Sequence, residues 1–394
     1  MQIGNRQQWE SPRDFIGNLP TTGKGIGIVV LDEGFDVSHP DFEGQIATTV
    51  ATSPDDNFES NPIGHGSHVL GIIGANGKSS QGQIQGAATG ARLIPIRVNV
   101  DPKSTWEAAS QTFANAVNWA VENKEEFNIR VINCSFVMPL VDNVDPTTGA
   151  VVSVFDPLSY AIDLATKNGI SIVAGVGNFG KDQRITTPAG HANVIAVGAL
   201  DTGATPQDVS DDSVAPFSSR GLSMDGKIKP DVVAPGVRIM SVNAPGSQFE
   251  THNLENLSKA KIVLQGSLDD VKAVAREQIE AGRLDPLVFK LPEDKLRRVV
   301  LRRFDVQPME GHHQGHPAYI AEDGSSMAAP IVSSLIAHML EANPQLTPQE
   351  VKEIILNTAH PVAGAEPDAQ GKGAIDAQAA VQEALRRNGI VTSL

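Results

Sequence analysis

Apolar runs that alternate with helical patterns constrain the fold of this chain more than any other feature. The runs cover residues 25–31, 92–98, 129–135, 170–176 and 194–199. Continuous apolar runs of this length are typical of strands that are covered on both faces, as in a parallel sheet. Amphipathic stripes lie between them, including residues 105–122 and 157–168. The predicted class is α/β, a doubly wound, mostly parallel sheet with helices on both faces.

Composition excludes several classes of protein. The 394 residues are 40% hydrophobic and 20% charged, as in an ordinary globular protein, and the net charge of −15 disfavours a nucleic-acid partner. The single cysteine, Cys134, excludes an internal disulfide framework, and its apolar surroundings predict a buried, inert thiol. No apolar stretch is long enough for a membrane span, so no membrane partner is expected. The first ten residues lack the apolar core of a signal peptide. This predicts a cytoplasmic protein if Met1 is the native start, and a secreted one if the chain is a trimmed mature form.

Three short glycine-containing motifs carry an acid, an imidazole and a hydroxyl. Asp32 ends an apolar strand, where open α/β sheets place their sites. His65 and Ser326 each stand at the entry of a predicted helix. These three groups are the parts that convert a weak hydroxyl into a nucleophile, and amides at a helix N-terminus help to hold an oxyanion.

The order Asp, His, Ser along the chain, together with the residues around each, resembles the subtilases, the subtilisin-like serine proteases. Further stretches resemble the framework of that family: residues 39–42, 193–199, 217–221, 229–236 and 373–377. The resemblance implies that Ser326 is the nucleophile, His65 its base and Asp32 the group that orients His65, while His68 is structural. It also implies an oxyanion role for Asn178 and substrate binding by Ser135, Phe136, Val137 and Gly175.

The resemblance implies an activity and leaves alternatives open. The expected protein is a serine endopeptidase that hydrolyses peptides or proteins through an acyl-enzyme. A transamidase or macrocyclase would use the same residues, and an inactive peptide-binding pseudoprotease is a further alternative. Val137 stands where subtilases usually carry glycine, which alters the expected specificity pockets. Phe179 either lines the first pocket or belongs to the core.

An insertion interrupts the resemblance. The expected domains are an N-terminal extension (1–20), a catalytic domain (21–247 and 317–394) and an inserted α/β subdomain (248–316). Within the insertion, residues 261–264, 287–289 and 299–301 are predicted strands, and a helix capped at Ser267 is expected to end at Gly282. Eleven acidic and eleven basic residues balance the charge of residues 248–316. Its return just before Ser326 predicts a position beside the cleft, where it serves as a lid, a docking face or a site for a regulatory partner, or is only a surface decoration.

Metal sites are weakly supported by the sequence. No cofactor is expected for catalysis. Because subtilases often bind structural calcium, Asp41 is a candidate ligand, although the neighbouring loop of residues 76–83 has no carboxylate. The histidines of residues 312–316 lack the second ligand cluster that a zinc site needs, so a mobile polar linker is predicted there.

Overall fold

The structure is a computed structural model that describes residues 11–52, 58, 61–98, 105–138, 156–181, 185–203, 209–223, 226–280, 284–301, 304 and 312–389. Residues 1–10 of the predicted N-terminal extension and Gly282, the predicted helix end, lie outside these described residues. None of the helices in these ranges combines the length and the hydropathy that crossing a bilayer requires.

A mostly parallel sheet lies at the centre of the chain and confirms the predicted doubly wound class. The strands among the described residues are β1 (Gly27–Asp32), β2 (Val50–Ala51), β3 (Arg92–Arg97), β4 (Ile129–Cys134), β5 (Ser171–Gly175), β6 (Val194–Asp201), β7 (Ser213–Val214), β8 (Gly221–Leu222), β9 (Ile228–Lys229), β10 (Val232–Pro235), β11 (Ile239–Val242), β12 (His312–His313), β13 (His316–Pro317) and β14 (Tyr319–Glu322). The parallel part runs in the order β10-β6-β5-β4-β1-β3-β2, and β7 pairs antiparallel with β6. All five predicted runs supply one of its strands.

Helices cover both faces of this sheet. They are α1 (Pro12–Ile16), α2 (His65–Gly74), α3 (Trp106–Glu122), α4 (Lys124–Phe127), α5 (Pro157–Lys167), α6 (Gln248–Gln265), α7 (Leu268–Glu280), α8 (Glu293–Leu301), α9 (Ser325–Ala342), α10 (Pro348–Thr358), α11 (Pro367–Gln370) and α12 (Ala377–Arg387). Thr347 forms the predicted capping box with Glu350 at the start of α10. Gly169 follows α5 at a φ of 78°, a left-handed conformation that favours glycine.

Strand β1 shows why the apolar runs are continuous. Ile28 and Val30 pack into one cluster, which contains α2, α9, α10 and α12, whereas Val29 and Leu31 pack into the other, with α3 and α5. All four side chains are fully buried. Since successive side chains of a strand point to opposite faces, a sheet covered on both faces has no polar alternation.

The insertion is helical among its described residues up to Phe304, so the predicted strands within it are wrong. Residues 261–264 lie in the last turns of α6, residues 287–289 form a 3₁₀ turn, and residues 299–301 end α8. Short apolar runs do not distinguish a strand from one turn of a helix. In α6, Val263 is buried while Ile262 and Leu264 are exposed, which is the pattern of an amphipathic helix. The predicted cap at Ser267 is present, since its hydroxyl accepts from the Asp270 amide at 3.2 Å.

The inserted helices have a core of their own. Helices α6, α7 and α8 enclose a cluster that is separate from the two sheet clusters, and its most buried members are Val263, Val271, Ala275, Leu296 and Val300. We call α6, α7 and α8, with the 3₁₀ turn Pro286–Lys290, the helical unit. After it, β12 and β13 form a small antiparallel hairpin where a polar linker was predicted.

Candidate active site

The predicted acid, imidazole and hydroxyl lie at the end of a strand and at the starts of two helices. Asp32 is the last residue of β1, at the carboxyl end of the parallel sheet, and His65 is the first residue of α2. Ser326 lies in the first turn of α9, after the positive-φ residue Gly324. Strand ends and helix starts place side chains at an edge where backbone amides are unpaired and open to a ligand.

Asp32 and His65 form a close pair. The Nδ1 nitrogen of His65 lies 3.0 Å and 2.8 Å from the two carboxylate oxygens of Asp32. The side chains are 19% and 5% exposed, so the pair is largely shielded from water. Burial alone would lower the pKa of His65, but the charge of Asp32 and its hydrogen bond raise that pKa above its ordinary value. Nδ1–H therefore donates to Asp32, which leaves Nε2 as the proton acceptor.

The hydroxyl of Ser326 is held on a neighbouring strand end. It donates to the backbone carbonyl of Ser135 at 3.1 Å, and the Ser135 hydroxyl donates to the Ser326 carbonyl at 2.9 Å. No hydrogen bond joins Ser326 to His65 among the described residues. Catalytic hydrogen bonds are often long or misaligned when no substrate is bound.

Asn178 is fixed beside Ser326 by the backbone of α9. Its Oδ1 oxygen accepts from the Ser325 amide at 2.9 Å, and the Gly177 amide donates to the Ser325 hydroxyl at 3.0 Å. The Nδ2 group lies next to Gly324, where an added Cβ would be 3.2 Å away. Gly175 is close-packed too, because a Cβ there would lie 2.9 Å from the Ser325 carbonyl oxygen. The carboxamide is thus held by its oxygen, and its N–H₂ end lies beside the residue that precedes α9.

The residues predicted to bind the substrate follow β4, which ends at Cys134. Ser135 is buried, whereas Phe136 and Val137 are partly exposed. Phe136 stacks on Phe113 of α3 with ring centroids 3.8 Å apart. Phe179 is 64% exposed, so the interpretation of Phe179 as a core aromatic is wrong.

Comparisons with known proteins identify the family of this chain. The profile of the Peptidase S8 subtilase family matches residues 23–267 and 302–384. The chain belongs to the subtilase family. It is similar to the serine protease AprX of Bacillus subtilis (strain 168), with 30% identity over 368 residues, 91% of this chain and 67% of that protein. The major intracellular serine protease of the same organism is 30% identical over 279 residues, 68% of this chain and 74% of that protein.

Solved structures show the same fold. The crystal structure of fervidolysin from Fervidobacterium pennivorans superposes with a TM-score of 0.60 at 23% identity, covering 96% of this chain and 47% of that one. The family match leaves residues 268–301 without a counterpart, and these contain α7 and α8 of the helical unit. As a member of this family, the chain is a subtilisin-like serine endopeptidase, a hydrolase that acts on peptide or protein substrates.

The surroundings of Asp41 do not fit the calcium ion that many subtilases bind. The carboxylate is fully buried. One oxygen accepts from the Ser79 amide at 2.7 Å, and the other accepts from the Tyr319 hydroxyl at 2.6 Å. Both oxygens therefore face hydrogen-bond donors, whereas calcium requires a ring of oxygen acceptors. Within the described residues, no cluster of three or more His, Cys, Asp or Glu side chains has the geometry for a metal.

Other site residues were not identified from the sequence. Asn133 is buried and accepts from the Ser333 hydroxyl of α9 at 2.9 Å, and it donates to the Ser135 hydroxyl at 3.0 Å. These hydrogen bonds fix Ser135, whose carbonyl accepts the hydrogen bond from the Ser326 hydroxyl. Polar residues inside an apolar strand were the available signal, because a buried amide needs partners.

Two further carboxylates act on His65. Burial and the charge of Asp32 raise the pKa of Glu33, and burial and the charge of Asp323 raise the pKa of Glu322 to about 8. Glu322 lies on β14, the strand that leads into Ser326. The negative charges of Glu33 and Glu322 add to that of Asp32 in raising the pKa of His65.

His68 has the structural role that was predicted. It is fully buried, and its Nε2–H donates to the Ile320 carbonyl of β14 at 3.2 Å. Burial lowers the pKa of His68 to about 3, so the ring is neutral in the folded protein. Cys134 is likewise buried, and burial raises the pKa of its thiol, as expected for an inert residue.

Proposed function

We propose that this endopeptidase cleaves peptide bonds with Ser326 as nucleophile, His65 as general base and Asp32 as the residue that orients His65. The observation that carries the proposal is the shielded Asp32–His65 pair, and the position of Ser326 in the first turn of α9 supports it. The Nδ1–H···carboxylate bond fixes the neutral tautomer whose Nε2 can accept a proton. The raised pKa of His65 makes it a better base than a free imidazole.

The proposed reaction has two stages. Ser326 Oγ attacks the scissile carbonyl carbon, and its proton moves to His65 Nε2. The oxyanion accepts hydrogen bonds from Asn178 Nδ2 and the Ser326 amide. The C–N bond then breaks, and His65 passes its proton to the leaving amine. Water hydrolyses the resulting ester by the same route, which releases the carboxylic acid and restores the Ser326 hydroxyl.

Substrate binding is proposed to trigger the first step. Ser326 rests on the carbonyl of Ser135, at the end of the strand that we propose pairs with the substrate backbone. A substrate N–H that takes this carbonyl as its acceptor would free the Ser326 hydroxyl to turn toward His65. Phe136, Val137 and Gly175 are proposed to border the substrate on the same side.

Two serine-to-alanine substitutions test the mechanism. Ser326→Ala is expected to abolish hydrolysis of an unstructured peptide without altering the fold. Ser334→Ala removes a hydroxyl that donates to the Pro330 carbonyl within the same helix, so it should keep parent activity within about two-fold. Mass spectrometry of the products shows whether water or an amine takes the acyl group from the enzyme, because hydrolysis adds one water to the peptide mass and cyclisation does not. Parent-like hydrolysis by Ser326→Ala would contradict the mechanism.

We also propose that the helical unit modulates access to the cleft or binds a regulatory partner. Two features support this. Its first helix contacts the active-site region through Phe249, and it carries the exposed apolar side chains Leu254, Leu264, Leu287 and Phe289. Replacing residues 268–301 by a short Gly/Ser linker should leave small-peptide cleavage nearly unchanged while altering cleavage of folded proteins. Equal effects on both substrates would refute the access role.

A further inference from the structure

The start of α6 is fixed to the segment that leads into His65. The backbone amides of Gln248 and Phe249 donate to the carbonyls of Pro62 and Ile63 at 2.9 Å and 3.0 Å. The approach is close, since a Cβ on Gly64 would lie 2.7 Å from the Ser247 hydroxyl oxygen. The first turn of α6 and the first turn of α2 therefore form one contact, and a shift of one displaces the other.

The side chain of Phe249 packs on two imidazoles of α2. Its ring centroid lies 6.0 Å from that of His65 at an interplanar angle of 73°, and 6.3 Å from that of His68 at 81°. His65 and His68 are three residues apart and so share one face of the helix. Both contacts have the edge-to-face geometry that aromatic rings favour. Because His68 is buried and bonded to β14, Phe249 rests on a fixed ring and presents a fixed surface to His65.

The residue after Phe249 holds this arrangement in place. The buried carboxylate of Glu250 accepts from the Asn243 side-chain amide at 3.0 Å and from the Gly246 backbone amide at 2.6 Å. It also lies 2.9 Å from Nδ1 of His316, on the hairpin that returns from the helical unit. The entry and the exit of the insertion therefore meet at Glu250, one residue from the contact with His65.

We propose that Phe249 is a positioning residue that sets the tilt of the His65 ring. Asp32 holds Nδ1, but a contact at one ring atom leaves the imidazole free to swing about that point. Catalysis requires Nε2 to reach first the Ser326 hydroxyl and then the leaving amine, so the swing must be limited. The Phe249 ring supplies a second contact that limits it. The inference rests on the proposed role of His65 as general base.

A graded series at Phe249 tests this inference. Phe249→Ala is expected to lower kcat by about 10- to 100-fold with KM within about two-fold, since misplacement of a catalytic group affects the chemical step. Phe249→Tyr keeps the ring and should retain most of the rate, with Phe249→Leu between the two. Glu255→Ala, which changes an exposed side chain on the same helix, is the control and should match the parent.

The pH profile of kcat/KM supplies a readout that a purely structural loss would not move. Burial lowers the pKa of His65, whereas the hydrogen bond to Asp32 and the charges of Asp32, Glu33 and Glu322 together raise it above its ordinary value. Removing the ring admits water, which weakens both effects, so the raised pKa moves back toward its ordinary value. The midpoint of the acid limb should therefore fall in Phe249→Ala and stay at the parent value in Phe249→Tyr. Circular dichroism and the unfolding temperature identify a variant that fails to fold, in which case Phe249→Leu against Phe249→Tyr gives the same comparison.

The outcomes separate this inference from the proposed function. A rise in KM alone would make Phe249 a substrate contact and overturn the positioning role. A parent-like kcat and pH profile in Phe249→Ala or Phe249→Leu would overturn it as well, while the loss of activity in Ser326→Ala still supported the mechanism. If Ser326→Ala remained active, the proposed mechanism would fail independently of any result at Phe249.

Discussion

The catalytic core and the helical unit are built on different principles, although both are helix-rich and lie in one chain. In the core, α9 is buried along almost its whole length between the sheet and the other helices. In the helical unit, each helix buries one narrow stripe and exposes charged residues on the remainder. The core can therefore hold side chains in the fixed positions that catalysis needs. The helical unit instead contributes mainly solvent-exposed surface. The first turn of α6 is where the two meet.

The largest expected effect that distinguishes the two regions is at Asn178. Asn178→Ala should lower kcat by about 10²–10³-fold with little change in KM, because the lost donor acts on charge that develops after binding. This magnitude is the value known for an oxyanion donor in subtilisin, a relative of this chain. Asn253→Ala, a mostly buried asparagine of α6, is the matched control and should stay within about two-fold of the parent. A change confined to KM at Asn178 would instead indicate a structural turn.

A matched pair of leucines separates the stability of the two cores. Leu335→Ala, in the centre of α9, should cost about 2–5 kcal/mol of unfolding free energy and weaken the whole catalytic domain. Leu296→Ala removes an equally buried side chain from the separate cluster of the helical unit. It should loosen α7, α8 and the last turns of α6 in hydrogen exchange, away from Phe249, while small-peptide hydrolysis stays within about two-fold. Loss of activity in both variants alike would mean that the two cores unfold together.

The smallest expected effect comes from Glu322, which lies between the two regions beside His65. Its pKa of about 8 exceeds the ordinary value of 4.5, so the folded state favours the protonated form. The stability contributed by this group is complete below about pH 4.5 and is lost as the pH rises through about 8. Glu322→Gln mimics the neutral acid. Its unfolding temperature should equal that of the parent at pH 4 and exceed it at pH 9, and a difference independent of pH would contradict this.

The core could be predicted from the sequence because its local and long-range preferences agree. Five apolar runs became strands, and Asp32, His65 and Ser326 lie at the strand end and helix starts that their neighbours indicated. Glycines and helix signals mark such positions locally. The pairing of Asp32 with His65 depends on elements 33 residues apart, and its prediction came from the resemblance to a family and not from periodicity.

The helical unit was harder to predict for a physical reason. A run such as residues 261–264 has three consecutive apolar side chains, and only the neighbouring turns show which of them is buried. The contact of Phe249 with His65 leaves no local pattern, because it joins residues that are far apart in the chain. The same holds for the Tyr319 hydroxyl on Asp41, which argues against the expected calcium site. The burial of a side chain and the identity of its hydrogen-bond partner depend on tertiary structure, so they cannot be predicted from a local sequence pattern.

The measurement that tests the central claim most directly is the mapping of a fluorophosphonate adduct on the intact protein. The probe reacts only with a hydroxyl that is activated as a nucleophile. We expect one adduct per chain on the peptide that contains Ser326, formed at a rate that falls at low pH as His65 is protonated. His65→Ala should slow its formation by several orders of magnitude. An adduct on another residue, or labelling of Ser326 at the parent rate in His65→Ala, would contradict the account.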